Sequence, residues 1–174
     1  MRRTLIISIL VFISGACENF HYSSPPGHSL EFYLISEFQR QTNSYKIING
    51  TVELSDSIII RYDDILSYNL HNYTFTITKS LADRLNAFEN NHIHGTPFAV
   101  TVERQIIYTG YFWAGFSSSM VDWVTIDPLY YSGKNQLRVQ LGYPGLVEGD
   151  FIPDNRNDVR ILEVLRRDSK LIDK

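Results

Sequence analysis

"FAVTVERQIIYTGYFWAGFSSSMVDWVTIDP", Phe98 to Pro128, decides how this chain folds. Phe98–Val102 and Gln105–Phe112 are apolar, β-prone runs on either side of Glu103-Arg104, which predicts two antiparallel strands. Glu-Arg suits a two-residue hairpin poorly, because the favoured turn needs positive φ at both positions. A slightly longer loop is therefore expected. Side chains alternate along a strand, so Ile106, Tyr108, Gly110 and Phe112 share one face, and Ile107, Thr109, Tyr111 and Trp113 share the other. In the next predicted strand, Val124 and Ile126 oppose Trp123 and Thr125. Ser117, Ser118 and Ser119 form the loop between the two strands. Gly110 marks a bulge or a close approach of backbone.

Outward from this stretch, the residues before it supply the helix that covers it. "SLADRLNAFENN" places Leu81, Leu85 and Phe88 at i, i+4 and i+7, one apolar stripe, behind Ser80 as the expected cap. Asn90 and Asn91 are the expected terminators, with Gly95 and Pro97 beyond them. "NYTFTIT" reads as a strand with Tyr73, Phe75 and Ile77 on one face, and Leu30–Ile35 and Ser57–Ile60 as two more. Asn49-Gly50 is the strongest local hairpin signal. "YDDILSY" suggests a helical turn capped by Asp63 or Asp64. After Pro128, "QLRVQLGY" is a further strand and "NDVRILEVLRRDSKLI" a closing amphipathic helix with Ile161, Leu162 and Leu165 inward. The expected class is α+β: an antiparallel sheet with one main helix packed on one face and a C-terminal helix.

At 174 residues the chain holds one domain, and 44% hydrophobic with 20% charged residues is a globular composition. The amino terminus, "MRRTLIISILVFISGAC", has two arginines, an apolar run and small residues before Cys17, the pattern of a signal peptide. That run is too short to cross a bilayer, which takes about 20 helical residues. Of the 16 basic residues, Arg2 and Arg3 fall in this leader, so 14 face 19 acidic ones, a net charge of -5. No nucleic-acid partner is expected from such a balance.

Ser14-Gly15-Ala16-Cys17 resembles a bacterial lipobox, with Ser14 where Leu, Val or Ile is usual. The resemblance implies a diacylated Cys17, the single cysteine of the chain. It divides the chain into a lipoprotein signal peptide and lipobox (1–17), a tether (18–28) and one α+β domain (29–174). Within 57–127 the order is strand, capped helix, "HGTPFAVTV", turn, "QIIYTGYF" and "DWVTIDP". This order resembles the periplasmic head subdomain of the SecD and SecDF translocase proteins, whose hairpin turn usually carries Gly. "IIYTGYFW", "IDP" and "LGYPG" together resemble a family of small bacterial lipoproteins that has no known catalytic residues. What these likenesses imply is a lipid-anchored cell-envelope protein, its domain facing the periplasm or cell exterior, acting as a non-catalytic interaction or accessory module. The partner is an envelope protein or a glycan, and no cofactor is implied.

Candidate chemistry is sparse. His92-Ile93-His94 puts two imidazoles on one side of an extended segment, but zinc needs three or four ligands, so no metal site is expected. Ser117–Ser119, with Asp122 and a histidine, is the nearest approach to a hydrolase, yet no nucleophile motif frames the serines. Asp63 and Asp64 read as caps before paired acids. The helix stripe suits the face with Phe112, Val124 and Ile126, which leaves Tyr111, Trp113 and Trp123 on the far face. These three are either packed under the C-terminal segment or form the exposed binding patch, a platform for a glycan or partner protein.

Overall fold

In the computed structural model, which describes residues 29–89, 95–128, 134–149 and 151–173, the decisive stretch is a hairpin. Strand β5 (Pro97–Val102) pairs antiparallel with β6 (Gln105–Phe112), and Val102 faces Gln105 across a two-residue turn. The expected longer loop is absent. Glu103 and Arg104 both take positive φ, 50° and 62°, the conformation of a type I′ turn. Tertiary contacts hold it there: Glu103 N–H donates to Ser29 O at 3.3 Å, and the Arg104 guanidinium lies 5.2 Å over the Tyr33 ring. Left-handed backbone costs an ordinary residue about 1 kcal/mol. Glu103→Asn, which keeps the Arg104 stack, is therefore expected to stabilise the protein by about 0.5–1 kcal/mol in urea unfolding.

Seven further strands surround this hairpin. They are β1 (Leu30–Glu37), β2 (Glu53–Ile60), β3 (Ile65–Asn69), β4 (Thr74–Ile77), β7 (Val121–Ile126), β8 (Gln136–Tyr143) and β9 (Leu171–Ile172). One nine-stranded sheet results, in the order β2-β1-β5-β6-β7-β8-β4-β3-β9. It is mixed, where an antiparallel sheet was expected: β6 runs parallel to β7, and β3 parallel to β9. The serine loop makes no hairpin. It carries the chain back alongside β7, so β6 and β7 pair only at Tyr111–Thr125 and Phe112–Ile126.

The sheet curls back on itself. Seven strand spacings separate β2 from β3, about 34 Å if the sheet were flat. Yet only Arg61–Asp64 lie between Ile60 and Ile65, a link reaching at most about 17 Å. Curling brings Phe32 of β1 within 5.5 Å of Phe75 of β4, centroid to centroid, although five places in the sheet separate the two strands. Phe98 lies 5.8 Å from Phe32 and 4.9 Å from Phe112, and Tyr68 lies 4.4 Å from Phe75, so one row of rings fills the concave interior.

Helix α1 (Lys79–Glu89) and helix α2 (Val159–Arg167) complete the core through Leu81, Leu85, Ile161 and Leu165, all buried. Leu162 is half-buried, and the Phe88 side chain lies outside the described residues. The class is thus α+β but β-rich. Thr78, not Ser80, caps α1: its Oγ1 accepts from Leu81 N–H at 3.2 Å. Asp64 anchors this start, accepting from Thr78 Oγ1 at 3.1 Å and pairing with Arg84 at 2.8 Å, so it ties elements together where a cap was expected. From the other side, Tyr62 donates to Asp168 at 2.6 Å and Lys170 donates to Tyr62 O. Asn49-Gly50 forms no hairpin either. Asn49–Thr51 is a single 3-10 turn inside the long β1–β2 connection.

Candidate functional site

The three aromatic residues singled out in the sequence do share the convex side of the sheet, but they do not form an open patch. Tyr111, Trp113 and Trp123 are only 2%, 5% and 9% exposed. The C-terminal segment is not what lies on Tyr111 and Trp113. A ribbon in the β1–β2 connection does, held by Gln41 N–H to Lys46 O and Ile48 N–H to Gln39 O, both 2.9 Å. From this ribbon the Tyr45 ring stands edge-on 5.9 Å from Tyr111 and 5.3 Å from Trp113, and Phe38 stands 6.3 Å from Tyr111. Tyr111 and Trp113 are therefore roofed and Trp123 is buried, so the three form no exposed platform, contrary to that expectation.

Asp122 latches the roof. Its carboxylate accepts from Ser44 Oγ at 2.6 Å and from Tyr45 N–H at 2.7 Å. A register shift between Val121 and Val124 puts an extra residue in β7, and Asp122, at that irregularity, reaches the ribbon. Burial alone would raise its pKa, but the hydrogen bonds from Ser44 and Tyr45 outweigh it and hold the carboxyl below its usual range. Burial pushes the Tyr111 phenol up to about 12. Trp123 donates from its indole nitrogen to Thr109 Oγ1 at 3.0 Å, and Trp113 donates to Ser119 O at 3.3 Å. The rings are therefore fixed by hydrogen bonds as well as by packing.

Among the described residues, the hydrolase elements are not brought together. Ser117 Oγ accepts from Ser119 N–H, and Asp122 serves the ribbon. The described histidine, His71, lies 3.9 Å from Asp173. His92 and His94, like Cys17 and the tether, lie outside the described residues. Among the described residues, no group of three His, Cys, Asp or Glu is placed to hold a metal ion, and no helix is long and apolar enough to cross a membrane.

A different apolar surface emerges where two loops meet. The β6–β7 loop exposes Phe116 (77%) and Met120 (57%), and the β8–α2 loop exposes Leu146 and Val147. Tyr143 donates to Gly115 O, Val121 pairs with Tyr143, and Asp127 accepts from Gly115 N–H at 2.9 Å, so the loops are tied at their bases. A cleft of about 210 Å³ between them is lined by Trp113, Asp127, Gln140 and Tyr143 among others. Phe151 is exposed further along the second loop. Sequence reasoning missed this rim. The available signal was large apolar residues without periodicity in glycine-rich segments, "AGFSSSM" and "PGLVEG". No protein-family model, curated protein or solved structure matches the chain.

Proposed function

We propose that this protein is a lipid-anchored cell-envelope lipoprotein whose domain is a non-catalytic interaction module, and that the rim of Phe116, Met120, Leu146 and Val147 docks a partner protein. One observation carries the reading: large apolar side chains stand in water on two loops that internal hydrogen bonds hold in place. Held loops lose little conformational freedom on binding, which favours recognition. Residues 113–120 and 143–149 contain no Lys or Arg, and Glu148 sits among them. Anionic lipid surfaces recruit basic residues, so the composition favours a protein partner over the bilayer itself. Cys17 supplies the membrane address, as two or three acyl chains on one residue make a stable anchor. A glycan-binding reading needs Tyr111, Trp113 and Trp123 open, and the Tyr45 ribbon lies over this face.

Two measurements test the reading. Cys17→Ser is expected to abolish acyl labelling and move the protein out of the membrane fraction; unchanged membrane association would sink the anchor. A photo-crosslinking residue placed in living cells at Phe116 or Met120 is expected to give a discrete adduct. The same residue at Leu66, an apolar position on β3 about as exposed as Met120, is expected to give none. Identical patterns at all three positions would refute the rim as the docking surface.

A further inference from the structure

A second surface, independent of the loop rim, lies at the free edge of the sheet. Strand β2 pairs with β1 on one side only. Its other edge faces a cleft of about 350 Å³ whose far wall is α1. Along that edge, Ser57 N–H bonds the Ser55 hydroxyl at 3.1 Å, a local substitute for a strand partner. Leu34, Ile58, Ile59 and Leu85 give the cleft an apolar lining. Two guanidinium groups border it. Arg84 already pairs with Asp64, whereas that of Arg61 has no hydrogen-bond or ion-pair partner among the described residues. Asp56, the acid of this wall, stands five residues before Arg61 on β2, whose pairing with β1 is interrupted by register shifts.

These features select an occupant. An apolar lining with an unpaired cation suits an anionic group carrying an apolar chain, and both a fatty acid and a peptide terminus meet that description. The strand edge separates them. A hydrocarbon laid along β2 would strip water from main-chain amides and return no hydrogen bonds, whereas an extended peptide pairs with them. We propose that this cleft takes the C-terminal end of an extended peptide. The peptide adds to β2 as a parallel strand, its last apolar side chain enters among Leu34, Ile59 and Leu85, and its terminal carboxylate pairs with Arg61. Asp56 then faces a residue upstream of the terminus, where a basic side chain is favoured.

The probe is a fluorescein-labelled hexapeptide, Lys-Thr-Val-Thr-Val-Leu, with a free carboxylate, titrated with the full mature chain and followed by anisotropy. Saturable binding is expected, weakened at least about tenfold by amidating the terminus. Arg61→Gln is expected to weaken the acid as much and the amide hardly at all, with an unchanged melting temperature because Arg61 is exposed. Asp56→Asn is expected to weaken the lysine peptide but not a serine-for-lysine analogue. Three results would each overturn the proposal: no saturable rise up to about 1 mM protein, equal affinities for acid and amide, or displacement by dodecanoate but by no unlabelled peptide. Loss of rim cross-links leaves this titration unaffected, so the two proposals fail separately.

Discussion

Gly110→Ala is expected to cost about 3 kcal/mol, the top of the usual range for overpacking a core. A Cβ at this position meets Phe98 Cζ at 2.6 Å and the Val124 carbonyl oxygen at 2.8 Å, both closer than such atoms tolerate. Neither neighbour has room to move. Phe98 is wholly buried between Phe32 and Phe112, and Val124 O belongs to the backbone of the adjacent strand. Phe98→Leu in the same chain should restore part of the loss, because it relieves the ring contact and leaves the carbonyl contact. The double variant should therefore fall short of the sum of the singles, and urea unfolding measures that coupling directly. Gly50→Ala is the matched control: nothing lies within 4 Å of a Cβ there, and no change beyond a few tenths of a kcal/mol is expected. Equal effects at Gly110 and Gly50 would contradict the packing described for the β5–β6 hairpin.

Trp123→Ala is expected to destabilise by about 3–5 kcal/mol, the cost of emptying a large buried aromatic site. In a domain of this size that lowers the melting temperature by roughly 10 °C. Two losses combine: the indole's packing, and the bond that leaves Thr109 Oγ1 without its buried donor. Trp123→Phe keeps much of the packing and loses the bond, so it should recover more than half of the deficit. A binding platform behaves oppositely, sparing the fold when its ring is removed. A melting temperature unchanged by Trp123→Ala would contradict the buried packing of this ring.

The parts of the fold that could be read in the sequence are those written locally. The alternation in Gln105–Phe112 placed Phe112 inward and Tyr111 outward correctly, and the Leu81–Leu85 stripe located α1. Gly110 was readable as a close approach because a strand interior gains nothing else from glycine. What failed was written elsewhere in the chain. Glu103-Arg104 adopts a turn it disfavours because Ser29 and Tyr33, some seventy residues earlier, hold it. Asn49-Gly50 makes no hairpin because the chain before it is committed to the roof. The roof was illegible for the same reason: Asp122 and Tyr45 lie 77 residues apart, and neither carries a local sign of the other. Lys79 extends α1 back by one residue because Thr78 offers a capping hydroxyl at the right place.

The short Arg61–Asp64 link has a kinetic consequence. It joins the strands at the two ends of the curl, yet the pairings that bring those ends together are remote: β1 with β5, β4 with β8, and β3 with β9. Each closes a loop of about sixty residues or more, so the local hairpins cannot join into the closed curl until most of the chain is present. Topologies of this kind fold in milliseconds to seconds, where local helical ones take microseconds. Closure of the curl therefore waits for β9, the last strand of the chain, and the earlier pieces stay pliable until it is made.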